Sequence, residues 1–386
     1  MKTISNRIAG GLAAAVLATL ATHPTSARAE AAPAEQPDGP RVQLAILLDT
    51  SNSMDGLIEQ AKTQLWKIIN TFIAAKQGGK TPFVEVALYE YGNDGLHSES
   101  HWIRRIQPLT RDLDKVSEEL FGLRTNGGQE YCGAVVQRAV EDLQWDPSGD
   151  TYKAVFIAGN EPFTQGPVDP LKSCKAAITK GVIVNTIHCG TAAEGIDGGW
   201  QKGSKVADGS YLVIDSNKAV VHIEAPQDAE IVKLNDELNK TYVGYGAEAP
   251  AAAANQAAQD ANAARFASGG ALVQRAVAKA SANYHNSRWD LVDASKEKDF
   301  DLARVKEADL PKEMQGLDEA GRKAFLDTKA RERGALQARI LDLNQQRDAF
   351  VAAKHRALAQ DGKDTLDTAM ADTVRKQAAA KGFQFD

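Results

Sequence analysis

Residues 42–48 form a near-continuous apolar run that stops at Asp49, the pattern of a strand buried on both faces. Leu57, Ala61, Leu65, Ile68, Ile69 and Phe72 then recur at helical spacing, and Gln77-Gly78-Gly79 ends that helix. Residues 83–91 and roughly 101–106 read as two further strands, and residues 112–121 and 131–144 as two helices. The alternation resumes with an apolar strand over residues 152–158. Asp169-Pro170 opens a helix, with Asp as N-cap and Pro at the first helical position, and this helix ends near Lys180-Gly181. Residues 182–188 and a short run over 211–215 complete the strands. Such alternation predicts an α/β domain over residues 41–243: a doubly wound, mostly parallel sheet with helices on both faces.

The pattern changes near Tyr242. Residues 247–282 are dominated by Ala, Gln and Asn, which suits helix but supplies few large core side chains. Residues 318–359 carry a long helical pattern whose seam is Leu336, Ile340, Leu343 and Phe350. Residues 244–386 are therefore expected to be largely helical, either as a coiled-coil-like arm able to self-associate or as helices laid back on the first domain. Tyr284 and Trp289, between the two helical stretches, mark a packing anchor.

The first 40 residues stand apart from both regions. Lys2 and Arg7 precede an apolar stretch over residues 8–22, and Ala27-Arg28-Ala29 has the small-x-small form of a signal peptidase site. The apolar core is short for a membrane span, so residues 1–29 read as a cleaved signal peptide and residues 30–40 as a Pro- and Ala-rich flexible leader. The protein is then exported, and a periplasm is the compartment that fits. No membrane span is expected after cleavage. In an oxidising compartment, Cys132, Cys174 and Cys189 allow one disulfide and one free thiol, and the spacing leaves the pairing open. The full chain of 386 residues has a net charge of −6, which argues against nucleic acid as a partner because phosphate binding wants a basic surface.

Chemistry concentrates in Asp49-Thr50-Ser51-Asn52-Ser53, between the first buried strand and the first helix. In a parallel sheet, ligands sit beyond the carboxyl ends of the strands where strand order reverses. An acid and two hydroxyls at alternate positions there gather oxygens around one point. That donor set suits a hard divalent cation, Mg²⁺ foremost, with Ca²⁺ and Mn²⁺ as alternatives. The chain has no G-x-S-x-G elbow, phosphate loop or H-E-x-x-H motif, so an enzyme is not expected.

On these residues, the stretch from 41 to about 215 resembles a von Willebrand factor A domain. Asp49, Ser51 and Ser53 match the first part of that family's metal-ion-dependent adhesion site. The resemblance implies an ion with one open coordination position, filled by a carboxylate from a partner protein. Two departures accompany it. The Thr that the family carries before its third large helix aligns with Gln129 or Glu130, with Thr125 nearby. The family's T-D-G triplet is replaced by Ala158-Gly159-Asn160-Glu161-Pro162, which puts Gly159 where the metal-ordering Asp belongs. Glu130 and Glu161 are then the expected remaining ligands, with Thr125, Gln129 and Asn160 as further metal or outer contacts.

The resulting expectation is an exported, metal-dependent protein-interaction module. Its rivals are a metal-free envelope protein acting through its helical arm, and an accessory subunit of an enzyme complex.

Overall fold

The structure is a computed structural model and describes residues 39–214, 223–265, 270–359 and 366–385. The expected signal peptide over residues 1–29 and nearly all of the expected leader lie outside the described residues.

Six strands form the central sheet: β1 (Arg41–Asp49), β3 (Phe83–Tyr91), β4 (Ile103–Thr110), β5 (Tyr152–Gly159), β6 (Ile183–Cys189) and β7 (Tyr211–Ile214). Their order is β4-β3-β1-β5-β6-β7. All neighbours are parallel except β4, which runs antiparallel to β3 along one edge. The chain winds outward from β1 in both directions, so strand order reverses between β1 and β5. That is where a parallel sheet opens a crevice at its carboxyl edge.

β4 begins two residues later than the apolar pattern predicts. His101 and Trp102 both adopt the left-handed conformation, with φ of 57° and 53°, and a strand cannot start there.

The sheet's two faces carry separate apolar cores. On one, Leu65 and Trp66 of α1 (Asp55–Asn70) pack with Val116 and Leu120 of α2 (Leu113–Gly122). On the other lie α3 (Cys132–Asp142), α4 (Pro170–Thr179) and α6 (Trp200–Val206), reached through the short α5 (Ala192–Asp197). The predicted Asp169 cap of α4 is present: its side chain accepts from Leu171 N at 2.9 Å. The expected disulfide is not formed. All three cysteines are free and buried, Cys132 and Cys174 within one core and Cys189 within the other.

Among the described residues six further α-helices follow: α7 (Asp228–Asn239), α8 (Ala249–Arg265), α9 (Ala271–Lys279), α10 (Leu291–Ala294), α11 (Glu319–Ala359) and α12 (Leu366–Ala379). They build onto the α1–α2 side. α9 packs on α1 and α8 on α2, while α12 lies against α1 and β7. Along α11, every seventh residue from Leu326 through Arg333 and Ile340 to Arg347 is buried. This seam faces inward, with Ile340 and Leu343 packed among α7 and α9 side chains. The expected anchor is equally internal: Trp289 stacks on Tyr242, with ring centroids 5.6 Å apart.

The chain's end completes the first core. Met370, Val374, Ala378 and Phe383 belong to the α1–α2 cluster. β8 (Gln384–Phe385) pairs antiparallel with β2 (Ala75–Lys76), directly after the first helix. Among the described residues, no helix is long and apolar enough to cross a membrane.

Candidate functional site

Three strand ends meet at the crevice. Asp49 closes β1 opposite Tyr91 of β3 in register, and Gly159 ends β5 on the other side. The turn after β1 is held from both flanks: Thr50 N donates to Tyr91 O at 2.9 Å, and Asn126 N donates to Thr50 O at 2.9 Å. The second bond ties the loop over residues 124–131 to the Asp49 turn and brings Glu130 to it.

Asp49 is fully buried. Its Oδ1 accepts from Ser51 N at 2.8 Å, while Oδ2 is buried without a hydrogen-bond partner. Ser51 Oγ is also buried and unpartnered. Orphaned buried oxygens are uncommon because each forfeits its hydration. Glu130 is buried beside them. A Cβ built on Gly92 would lie 2.9 Å from Glu130 Cγ and 3.0 Å from Asp49 Oδ1, so glycine is the residue that lets both acids approach this strand end. Gly92 also has φ +81°, in the left-handed region that glycine occupies without strain.

Burial pushes Asp49 up to about 7, and although the hydrogen bond from Ser51 N works against the shift, the charges of Glu130 and Glu161 add to it. Glu130 is likewise raised, first by burial and then by Glu161. The strongest charges acting on Asp49 are thus negative ones.

The remaining expected residues divide. Glu161 is half-buried at the rim, its carbonyl accepting from Trp200 Nε1 at 2.8 Å, with half-buried Asn160 beside it. Ser53 lies in the single turn Asn52–Met54; its side chain is outside the described positions. Thr125 is turned away, its hydroxyl donating to Asp55 Oδ1 at 2.5 Å, and Gln129 points to solvent. Neither joins the Asp49 cluster.

Gly159 is explained by its neighbours. A Cβ there would lie 2.5 Å from Tyr91 Oη, 3.0 Å from Asp49 Oδ2 and 3.2 Å from Trp200 Cη2. Tyr91 Oη donates to Ala158 O at 2.9 Å and so fills the place a longer side chain would need. Sequence reasoning missed Tyr91 and Gly92. The available signal was their position at the end of the strand that pairs with β1.

Every donor brought together is an oxygen, which suits Mg²⁺, Ca²⁺ or Mn²⁺ over softer metals. The set mixes acid and hydroxyl groups: among the described residues, no group of three or more His, Cys, Asp or Glu could hold a metal ion. The orphaned Asp49 Oδ2 and Ser51 Oγ fit a cation, because each lacks a donor and the local field is negative.

Residues 43–196 match the family model of the von Willebrand factor type A domain. No curated protein matches the chain. Among solved structures, the conserved hypothetical protein BatB from Bacteroides thetaiotaomicron is similar at 18% identity, over 45% of this chain and 90% of that one, with a TM-score of 0.35. The pilus adhesin SpaC from Lactobacillus rhamnosus GG is 16% identical over 47% of this chain and 29% of its own, TM-score 0.36. The domain of SpRpn10 is 16% identical over 46% and 88%, TM-score 0.34.

Proposed function

Taking residues 43–196 as a von Willebrand factor type A domain, we propose that the protein is an exported, cation-dependent protein-interaction module and not an enzyme. Asp49, Ser51 and Ser53 hold a divalent cation, Mg²⁺ first among the candidates, and Glu130 and Glu161 complete its surroundings. The ion supplies an electrophilic position that a carboxylate of a partner protein occupies. The protein's own residues do the rest: Tyr91 and Gly92 set the floor, and the Asn126–Thr50 bond fixes the loop that carries Glu130.

Two buried, unpartnered oxygens on one turn, Asp49 Oδ2 and Ser51 Oγ, support this reading. Burial first, and then the charges of Glu130 and Glu161, raise Asp49 to about 7.

The test is thermal unfolding of the protein stripped with EDTA, then supplied with Mg²⁺, Mn²⁺ or Ca²⁺, beside Asp49→Ala. An ion at ~100 times its dissociation constant adds about 2.7 kcal/mol to stability. A rise in midpoint with at least one ion, absent in Asp49→Ala, is the expected result. No rise with any of the three overturns the metal reading.

A further inference from the structure

The later helices build on the α1–α2 side of the head, whereas among the described residues the main helix contacts of α3, α4 and α6 are with one another. On that side, α4 and α6 present five lysines: Lys172, Lys175, Lys180, Lys202 and Lys205, all exposed. We propose that this face is a second docking surface, for an acidic peptide segment of a partner protein.

On other helices some exposed cations find a carboxylate one turn away, as Lys115 does with Glu118 at 3.0 Å and Arg339 with Asp342 at 3.0 Å. None of the five lysines makes an ion pair among the described residues. Lys205 bonds the Gln201 amide oxygen at 3.1 Å and Lys180 the Val140 carbonyl at 2.8 Å. The neighbouring acids are engaged: Asp169 caps α4, and Asp142 is paired with Arg138 at 2.9 Å. Asp169 and Asp208, before α4 and past the end of α6, are exposed acids close in sequence to these lysines.

Lys172, Lys175 and Lys180 line an open groove of about 770 Å³ whose apolar lining is Leu171, Ala176 and Val206. A basic rim over an apolar floor fits a chain that alternates acidic and aliphatic side chains. Membrane docking would want large exposed hydrophobics lining the groove, and the described residues with that property, Ile196 of the adjacent α5 and Leu317, do not line it.

The experiment measures fluorescence anisotropy of a labelled peptide of alternating Glu and Leu against the full chain at low and high salt. Binding is expected at low salt, with loss of roughly tenfold or more in affinity at high salt, where charges are screened. The variant Lys172→Glu/Lys175→Glu/Lys205→Glu, checked for native circular dichroism, should lose it to the same degree. Asp49→Ala and EDTA should leave it unchanged, which separates this surface from the cation site. Absent binding, or equal binding by the triple variant, overturns the proposal. So does lysine-dependent binding to phosphatidylglycerol vesicles without peptide binding, which would make the face a membrane contact.

Discussion

The hydroxyl of Tyr91 and the α-carbon of Gly159 divide one space between them: a Cβ on Gly159 would stand 2.5 Å from Tyr91 Oη. Real Cβ atoms do not approach that closely, so the tyrosine on β3 and the glycine on β5 are a matched pair. The pair sits directly beneath Asp49 Oδ2, 3.0 Å from the same point.

Gly159→Ala is therefore expected to destabilise the head by about 1–3 kcal/mol, the usual cost of overpacking a filled core. Gly159→Asp should cost more, since a second carboxyl would enter the field already raising Asp49. Pairing Gly159→Ala with Tyr91→Ala removes the obstructing ring and should recover part of the Gly159→Ala loss beyond additivity. Urea unfolding of the three variants measures the coupling. Strict additivity would show that the two residues do not share the space.

Asp49 gives the stability curve a definite sign. Its carboxyl is raised from an ordinary 3.8 to about 7 by burial first, so between those values the folded state holds a proton that the unfolded state has lost. Stability contributed by this group is present below the unfolded pKa and falls as pH rises through that window, at roughly 1.4 kcal/mol per pKa unit. Unfolding free energies in EDTA should accordingly drop between about pH 4 and 7 relative to Asp49→Asn. Saturating Mg²⁺ should flatten the difference, because a cation replaces the proton as the compensating charge. Parallel curves for wild type and Asp49→Asn in EDTA would mean that Asp49 is ionised throughout.

Much of the sheet could be read directly. Residues 42–48 and 152–158 are apolar on both faces because helices cover both, and Asp49 stands out as the polar residue where the run ends. The C-terminal region was less legible because its cohesion does not rest on large apolar residues. α8 packs through Gln256, Gln259 and Ala263, which are buried, and α11 buries Arg333 and Arg347 in its seam. Hydropathy counts such residues as surface. At the site, Asp49 and Ser51 were found from a local motif, whereas Tyr91, Gly92 and Trp200 act across strands and carry no local signature.

The cysteines follow burial instead of compartment. Burial raises all three thiols, Cys174 to about 12, so thiolate is scarce and access is closed. A thiol reagent should find none reactive in the native protein and three after denaturation, with no change in mass on reduction. Fast native labelling, or fewer than three thiols after unfolding, would contradict the structure.

Arg275 ties the head to the later helices through a buried charge cluster. Its guanidinium is fully buried, donating to Asp114 of α2 at 2.6 Å and to Asp260 of α8 at 2.5 Å, with the Trp66 ring of α1 4.9 Å away. Tyr284 also donates to Asp114. Burial opposes the charge on Asp260, but Arg275 and Lys279 overcome it and hold that carboxyl well below its usual range. Removing one partner of such a cluster leaves buried charge uncompensated and costs about 3–5 kcal/mol. Arg275→Met should lower stability by that order while head and helices still unfold in one calorimetric transition, since α12 and β8 fill the head's own core. For the same reason residues 41–243 alone should expose the surface that Met370, Val374 and Phe383 cover, bind a hydrophobic dye and aggregate. A monomeric, cooperatively unfolding 41–243 fragment would show that the helices are an appendage and that Arg275 joins two independent folds.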